Sequence, residues 1–169
     1  MDKALAIRPG KASDVSRITE IYNHYVANTP ISFDIEPWSI EQRLSSWFSQ
    51  YNESGPYRLL VAELSDRVIG YASSGQFRSK AAYHTSVETS IYIDSKELGR
   101  GYGAQLYRAL LEQLAAAGLH RAYGGVTLPN EASIALHKKL GFEEVGVFTQ
   151  VGCKFGQYYD VCWLEKSLS

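Results

Sequence analysis

Hydrophobic and polar positions along the chain follow two periods, and the elements are read from where one gives way to the other. Leu5–Arg8 reads as a short strand. Val15, Ile18, Tyr22, Tyr25 and Val26 then recur at helical spacing behind Ser13, a residue type that caps helices, and Pro30 ends the run. Ser39-x-x-Gln42 has the form of a capping box and opens a second helix with Leu44, Trp47, Phe48 and Tyr51 on one expected face. Tyr57–Leu64 and Val68–Phe77 predict a hairpin turning at Ser65-Asp66. Val87–Asp94 is a further strand, rich in β-branched and aromatic residues. An amphipathic helix follows over Ala104–Ala117 and stops at Gly118. Arg121–Thr127 is a strand, Glu131–Leu140 a short helix closed by Gly141, and Phe142–Val151 with Gln157–Lys166 a final strand pair. The predicted order is β-α-α-β-β-β-α-β-α-β-β.

No repeat, low-complexity tract or linker breaks this pattern, and 169 residues suit one domain over 1–169. The net charge is −1 with no basic block, which argues against a nucleic-acid surface and for small molecules or proteins as partners. The first residues lack the apolar core of a signal peptide, and no stretch is long enough to span a membrane, so a cytoplasmic protein is expected. Cys153 and Cys162 are the only cysteines; their spacing suggests no metal site, and two reduced, packed thiols are expected.

The chemistry concentrates between the Val87–Asp94 strand and the helix after it. Leu98-Gly99-Arg100-Gly101-Tyr102-Gly103 is a glycine-rich turn entering a helix, which presents backbone N–H groups and the positive end of a helix dipole to an anion. No Lys-Ser or Lys-Thr follows these glycines, which excludes a P-loop. The dinucleotide pattern fits only loosely, because Leu106 stands at its third position and the loop lies past mid-chain. Upstream, Val87, Thr89, Ile91 and Ile93 share one face of the strand, so Glu88 falls on the other with Ser90 and Tyr92. A carboxylate there is expensive to bury without a partner. Downstream, Asn130 can cap the helix it precedes, and His137, two helical turns on, would flank the same channel.

The glycine loop, Asn130-Glu131-Ala132-Ser133-Ile134 and Leu140-Gly141-Phe142 together resemble the GCN5-related N-acetyltransferase superfamily, over essentially the whole chain. Leu98 stands where that family's loop has Gln or Arg, while Gly101 and Gly103 match. The resemblance implies an α/β (α+β) fold, a mixed central sheet of about seven strands flanked by four helices. Several segments narrow it to the phosphinothricin acetyltransferase branch, which includes methionine sulfoximine acetyltransferases. They are Ile21-Tyr22-Asn23-His24, Gly70-Tyr71-Ala72-Ser73, Leu128-Pro129-Asn130-Glu131-Ala132-Ser133, Leu136-His137-x-x-Leu140-Gly141-Phe142 and Val151-Gly152-x-Lys154-Phe155-Gly156-x-Tyr158-x-Asp160.

That branch implies acetyl transfer from acetyl-CoA, without a metal, to the α-amino group of a compact amino-acid analogue, by a homodimer. Residue by residue, it implies Glu88 as general base and His137 as a cofactor contact or the acid that protonates the leaving thiolate. The backbone of Ile91, Tyr92 and Ile93 would polarise the thioester. Gly99, Arg100, Gly101, Tyr102, Gly103 and Ala104 would cradle the pyrophosphate, and Asn130 would touch the pantetheine arm. Phe33, Arg78, Tyr83 and Lys154 are the expected substrate contacts, the two cations suiting a carboxylate or phosphinate. Gln76-Phe77-Arg78 and His84-Thr85-Ser86 depart from the branch pattern beside the expected pocket, which leaves the preferred amine open. A protein N-terminus or a polyamine as acceptor, or an acetyl-CoA sensor without transfer, remain alternatives.

Overall fold

The computed structural model describes residues 4–169. Its elements are β1 (Leu5–Pro9), α1 (Val15–Asn28), α2 (Ile40–Gln42), β2 (Leu59–Leu64), β3 (Arg67–Gln76) and β4 (Ser86–Ile93), then α3 (Tyr102–Ala116), β5 (Arg121–Thr127), α4 (Glu131–Lys139), β6 (Glu143–Lys154) and β7 (Gln157–Ser167). The seven strands form one mixed sheet in the order β1-β2-β3-β4-β5-β7-β6. Only β4 and β5 run parallel. This is the seven-strand, four-helix architecture expected from the sequence.

The period of two in β2, and in β3 with one extra residue at a bulge by Ile69, gives each face of the sheet its own apolar layer. Leu60, Ala62, Ile69 and Ala72 pack with Leu106, Leu110 and Leu114 of α3, whereas Leu59, Val61, Val68 and Tyr71 pack with Ile18, Ile21 and Tyr25 of α1. Each fully buried Leu or Ile contributes roughly 1.5–3 kcal/mol. Ser65 and Asp66 turn the β2–β3 hairpin with φ of 53° and 62°, the two-residue turn whose twist matches the strands it joins.

Three local expectations are corrected. Ser13 does not cap α1: a 3-10 turn over Ala12–Asp14 precedes the helix, and Asp14 accepts the Lys11 N–H at 2.8 Å while pairing with Arg8. The Ser39–Gln42 capping box forms, but α2 runs straight into a π-helical turn, Arg43–Trp47, and a 3-10 turn, Phe48–Gln50. Within this run Leu44 is exposed and Arg43 is buried instead. Cys162 is buried as expected, while Cys153 is exposed, and both are free thiols. No helix among the described residues is long and apolar enough to cross a membrane.

Candidate active site

The sheet opens at its centre. β4 pairs with β5 only through Ser86, Glu88 and the residue between them, while β5 continues to Thr127 against β7. Beyond Glu88 the two parallel strands part, and the β5-facing edge of β4 has no strand beside it. The Asp94 N–H donates to the Ile69 carbonyl of β3, which fixes the alternation: Ser90 and Tyr92 turn their peptide groups to β3, and Ile91 and Ile93 turn theirs into the opening. The Ile93 carbonyl is taken by the Tyr25 hydroxyl.

On one side of this opening lies a groove of about 520 Å³. Its floor is Ile91, Tyr92 and Ile93, its end is the run Gly99–Ala104, and its far wall includes Asn130 and Leu136. Gly99 and Gly101 adopt φ of 76° and 78°, a left-handed conformation open to glycine at no steric cost. Gly101 is the N-cap of α3 and has no side chain to satisfy the first-turn N–H groups, so they and the helix dipole face the groove uncapped. Asn130 caps α4, its Oδ1 accepting the Ser133 N–H at 3.2 Å. Arg100 is over half exposed and pairs with Glu97 at 3.1 Å.

On the other face lies a second cavity of about 300 Å³, lined by Glu88, Ser90 and Tyr92 from β4, by Tyr71 of β3, and by Arg43 and Trp47. A small space of about 60 Å³, bordered by Glu88, Asn130 and His137, lies between them, and Tyr92 borders all three. Burial raises the Glu88 carboxyl above its ordinary value, and the positive charge of Arg78 opposes that shift only in part. Burial likewise pushes Tyr22 up to about 12, so the phenol that donates to Asp34 stays neutral.

His137 is buried, and its Nδ1 lies 2.8 Å from the Ser133 carbonyl, an atom that only accepts. The ring proton therefore sits on Nδ1, and Nε2 accepts from the Tyr107 hydroxyl at 3.2 Å. Burial lowers its pKa, which keeps the ring neutral. Both nitrogens are engaged with protein atoms, an arrangement that weighs against His137 as the group that protonates a leaving thiolate.

The ten residues expected at the cofactor all line the first groove. Tyr25, Ile31 and Lys139 line it too and were not anticipated; Tyr25 and Ile31 reach it from the opposite face of the sheet and the loop after α1. The four expected substrate contacts do not line the second cavity. Arg78 is exposed and stacks 4.4 Å over Phe77, and Tyr83 meets the same ring edge-on. Lys154 is buried and donates to the Ser32 carbonyl at 2.7 Å. Phe33 lies against Gly152, where even a methyl group would fall 2.2 Å from its ring. Lys154 and Phe33 thus bind the loop after α1 to β6. Of the cavity's own walls, Tyr22, Tyr71 and Ser73 stand in segments that carried the family resemblance, whereas Asp34 and Arg43 were not singled out by the sequence.

Residues 7–163 match the family model described as an acetyltransferase (GNAT) domain. The chain is 49% identical to a phosphinothricin N-acetyltransferase of Streptomyces coelicolor, over 96% of this chain and 95% of that one. It is 36% identical to an L-methionine sulfoximine/L-methionine sulfone acetyltransferase of Pseudomonas aeruginosa, over 96% and 94% of the two chains. The crystal structure of a phosphinothricin acetyltransferase from Sinorhizobium meliloti in complex with acetyl-CoA superposes with a TM-score of 0.92 at 32% identity, covering 98% of this chain and 89% of that one. With matches this long, and a glycine-capped helix facing an opened strand, the chain belongs to the GNAT family of acetyltransferases.

Proposed function

We propose that this enzyme transfers an acetyl group from acetyl-CoA to the α-amino group of a small amino-acid analogue such as phosphinothricin or methionine sulfoximine. The observation that carries the reading is the placement of Glu88 and Tyr92 on an acceptor-sized cavity that meets the cofactor-sized groove where β4 and β5 part. The names of the relatives supply the acceptor class.

Acetyl-CoA, when bound, supplies a thioester, an electrophile that reacts only with an uncharged amine. Glu88 takes a proton from the acceptor's ammonium, and its raised pKa makes it a better base than an exposed glutamate. The freed amine forms the C–N bond as the C–S bond breaks, and the second proton lost from nitrogen passes to the departing thiolate, so CoA leaves as its thiol. The Ile91 N–H, facing the opening, holds the carbonyl oxygen as negative charge develops there; a fixed backbone donor needs no reorganisation at that moment. The Gly99–Gly103 turn and the uncapped first turn of α3 hold the pyrophosphate, with Arg100 at the solvent edge and Tyr102 and Ala104 on the groove wall. Asn130 fixes the start of α4 along the pantetheine arm. His137, with Tyr107 and Phe142 against its ring, shapes the space beside Glu88. Arg78 tunes Glu88 by charge, Lys154 and Phe33 hold the loop that carries Asp34, and Tyr83 packs against Phe77 next to Arg78.

We also assign the enzyme to the cytoplasm, where its two free thiols would stay reduced, and to a homodimer. β6 is an edge strand with Val145, Val147, Phe148 and Val151 exposed, and Phe155 and Tyr158 continue that apolar strip at its hairpin. An edge of this length and character calls for a cover, and a second copy is the simplest one.

The functional reading is tested by thiol release from acetyl-CoA across phosphinothricin, methionine sulfoximine, ordinary amino acids, spermidine and an N-terminal peptide. Release confined to amino acids and their analogues is expected. Release with spermidine or the peptide alone would replace the acceptor class.

A further inference from the structure

Arg43 has no part in the acyl transfer described above, yet it lines the same cavity as Glu88. Its side chain is buried, at 3% exposure. The guanidinium carbon stands 3.7 Å over the Trp47 ring, 4.5 Å over Tyr22, and 5.9 Å from both Trp38 and Tyr71. Among the described residues it forms no ion pair. Nη2 reaches the Tyr71 hydroxyl at a long 3.3 Å, and the buried Nε has no partner. Asp34 shares the cavity, but its Oδ2 accepts from the Tyr22 hydroxyl at 2.6 Å and the Trp38 indole N–H at 2.7 Å.

A guanidinium carries five N–H donors in a planar fork and stays charged at any working pH. Aromatic faces recover part of its lost hydration, but they leave the in-plane donors unmet. Burying such a group without an anion is costly, yet Arg43 is buried while the apolar Leu44 beside it is exposed. The cavity therefore has a base at one place and an unanswered cation at another. A zwitterionic acceptor supplies the complement to both.

We propose that Arg43 receives an oxyanion of the acceptor, its α-carboxylate or a side-chain phosphinate, and thereby selects amino acids over simple amines. The inference rests on the second cavity being the acceptor site. A polyamine has no anion to offer this arginine, whereas an amino acid places one within a few bonds of the reacting nitrogen.

The test is steady-state kinetics of wild type, R43K and R43Q with three acceptors: methionine sulfone, its carboxamide, and phosphinothricin. Acetyl-CoA affinity is measured alongside as the check on folding. Wild type is expected to prefer the sulfone over its amide by about 10²-fold in kcat/KM. If the α-carboxylate is the ligand, R43Q brings that preference close to one, with acetyl-CoA affinity kept and R43K intermediate. If the phosphinate is the ligand, R43Q instead loses phosphinothricin alone. An R43Q enzyme whose preferences among the three acceptors match wild type overturns the role of Arg43 and leaves the acceptor reading standing. Wild type inactive on all three overturns the acceptor reading, and this inference with it.

Discussion

The two cavities on either side of Tyr92 are built by different means. The cofactor groove is made largely of backbone: two left-handed glycines, an uncapped helix start and the unpaired edge of β4. The acceptor cavity is made of side chains, with Glu88 and Arg43 set among Tyr22, Trp47, Tyr71 and Tyr92. A backbone site recognises what every acetyl donor of this kind shares, a pyrophosphate and a thioester carbonyl. A side-chain site can be rewritten residue by residue, which is why acceptor choice is proposed to reside there. Mutations should therefore separate: those in the groove alter acetyl-CoA binding for every acceptor, and those in the cavity alter turnover or choice with acetyl-CoA binding intact.

The largest expected effect lies at the junction. Glu88→Gln should lower kcat on the order of 10²–10⁴-fold, the range for loss of a general base, with the acetyl-CoA Kd unchanged by calorimetry. A parallel loss of cofactor affinity would mean that Glu88 serves the groove and that the two regions are not separable. Next, Gly101→Val forces a branched side chain into φ 78° at the start of α3. Strain of about 1–2 kcal/mol and a displaced helix start should raise the acetyl-CoA KM by roughly tenfold, equally for all acceptors. An effect that varied with acceptor would break the division.

A smaller effect sharpens the position of His137. A Cβ at Gly124 would lie 2.6 Å from His137 Nε2, in a ring cage closed by Tyr107 and Phe142. Gly124→Ala should cost about 1–3 kcal/mol, read as a melting temperature several degrees lower. Unchanged melting would show that the histidine moves freely, contrary to its two hydrogen bonds. The smallest effect concerns stability against pH. Because burial raises the Glu88 pKa in the folded state, the unfolded chain loses that proton first as pH rises. Stability from this group is then greatest at acid pH and falls between the unfolded and folded pKa values. Glu88→Gln should flatten that part of the urea-midpoint profile. A mutant that restored stability at acid pH instead would reverse the sign and refute the burial argument.

The contrast between the cavities also explains what could be read from the chain. Glycines at 99 and 101 take the left-handed turn that opens α3, and together with the motifs downstream they marked the loop; alternation along β4 put Glu88 opposite the Val87–Ile93 face, where the fold has it. The second cavity's walls were legible only in part: Tyr22 and Tyr71 lay in segments that carried the resemblance, but Asp34 and Arg43 did not stand out. Arg43 sits in a helical run whose apolar period favoured Leu44, yet Leu44 is exposed and Arg43 is buried. Arg78 and Lys154 looked suited to an anion by charge, yet one stacks on Phe77 in solvent and the other is committed to the Ser32 carbonyl. His137 was read from its chain position as a possible acid, but its tautomer depends on Ser133 and on Tyr107, a residue of α3 thirty positions away whose hydroxyl is also held by Thr89 of β4.

The central claim is that Glu88, at the meeting of the two cavities, deprotonates the acceptor. It is tested most directly by the pH dependence of kcat/KM for methionine sulfoximine in wild type and Glu88→Gln. The account predicts an ascending limb on the acid side in wild type, displaced above the range of an ordinary glutamate, and no such limb in the mutant. The same acid limb in both enzymes would contradict it and assign the base to another group.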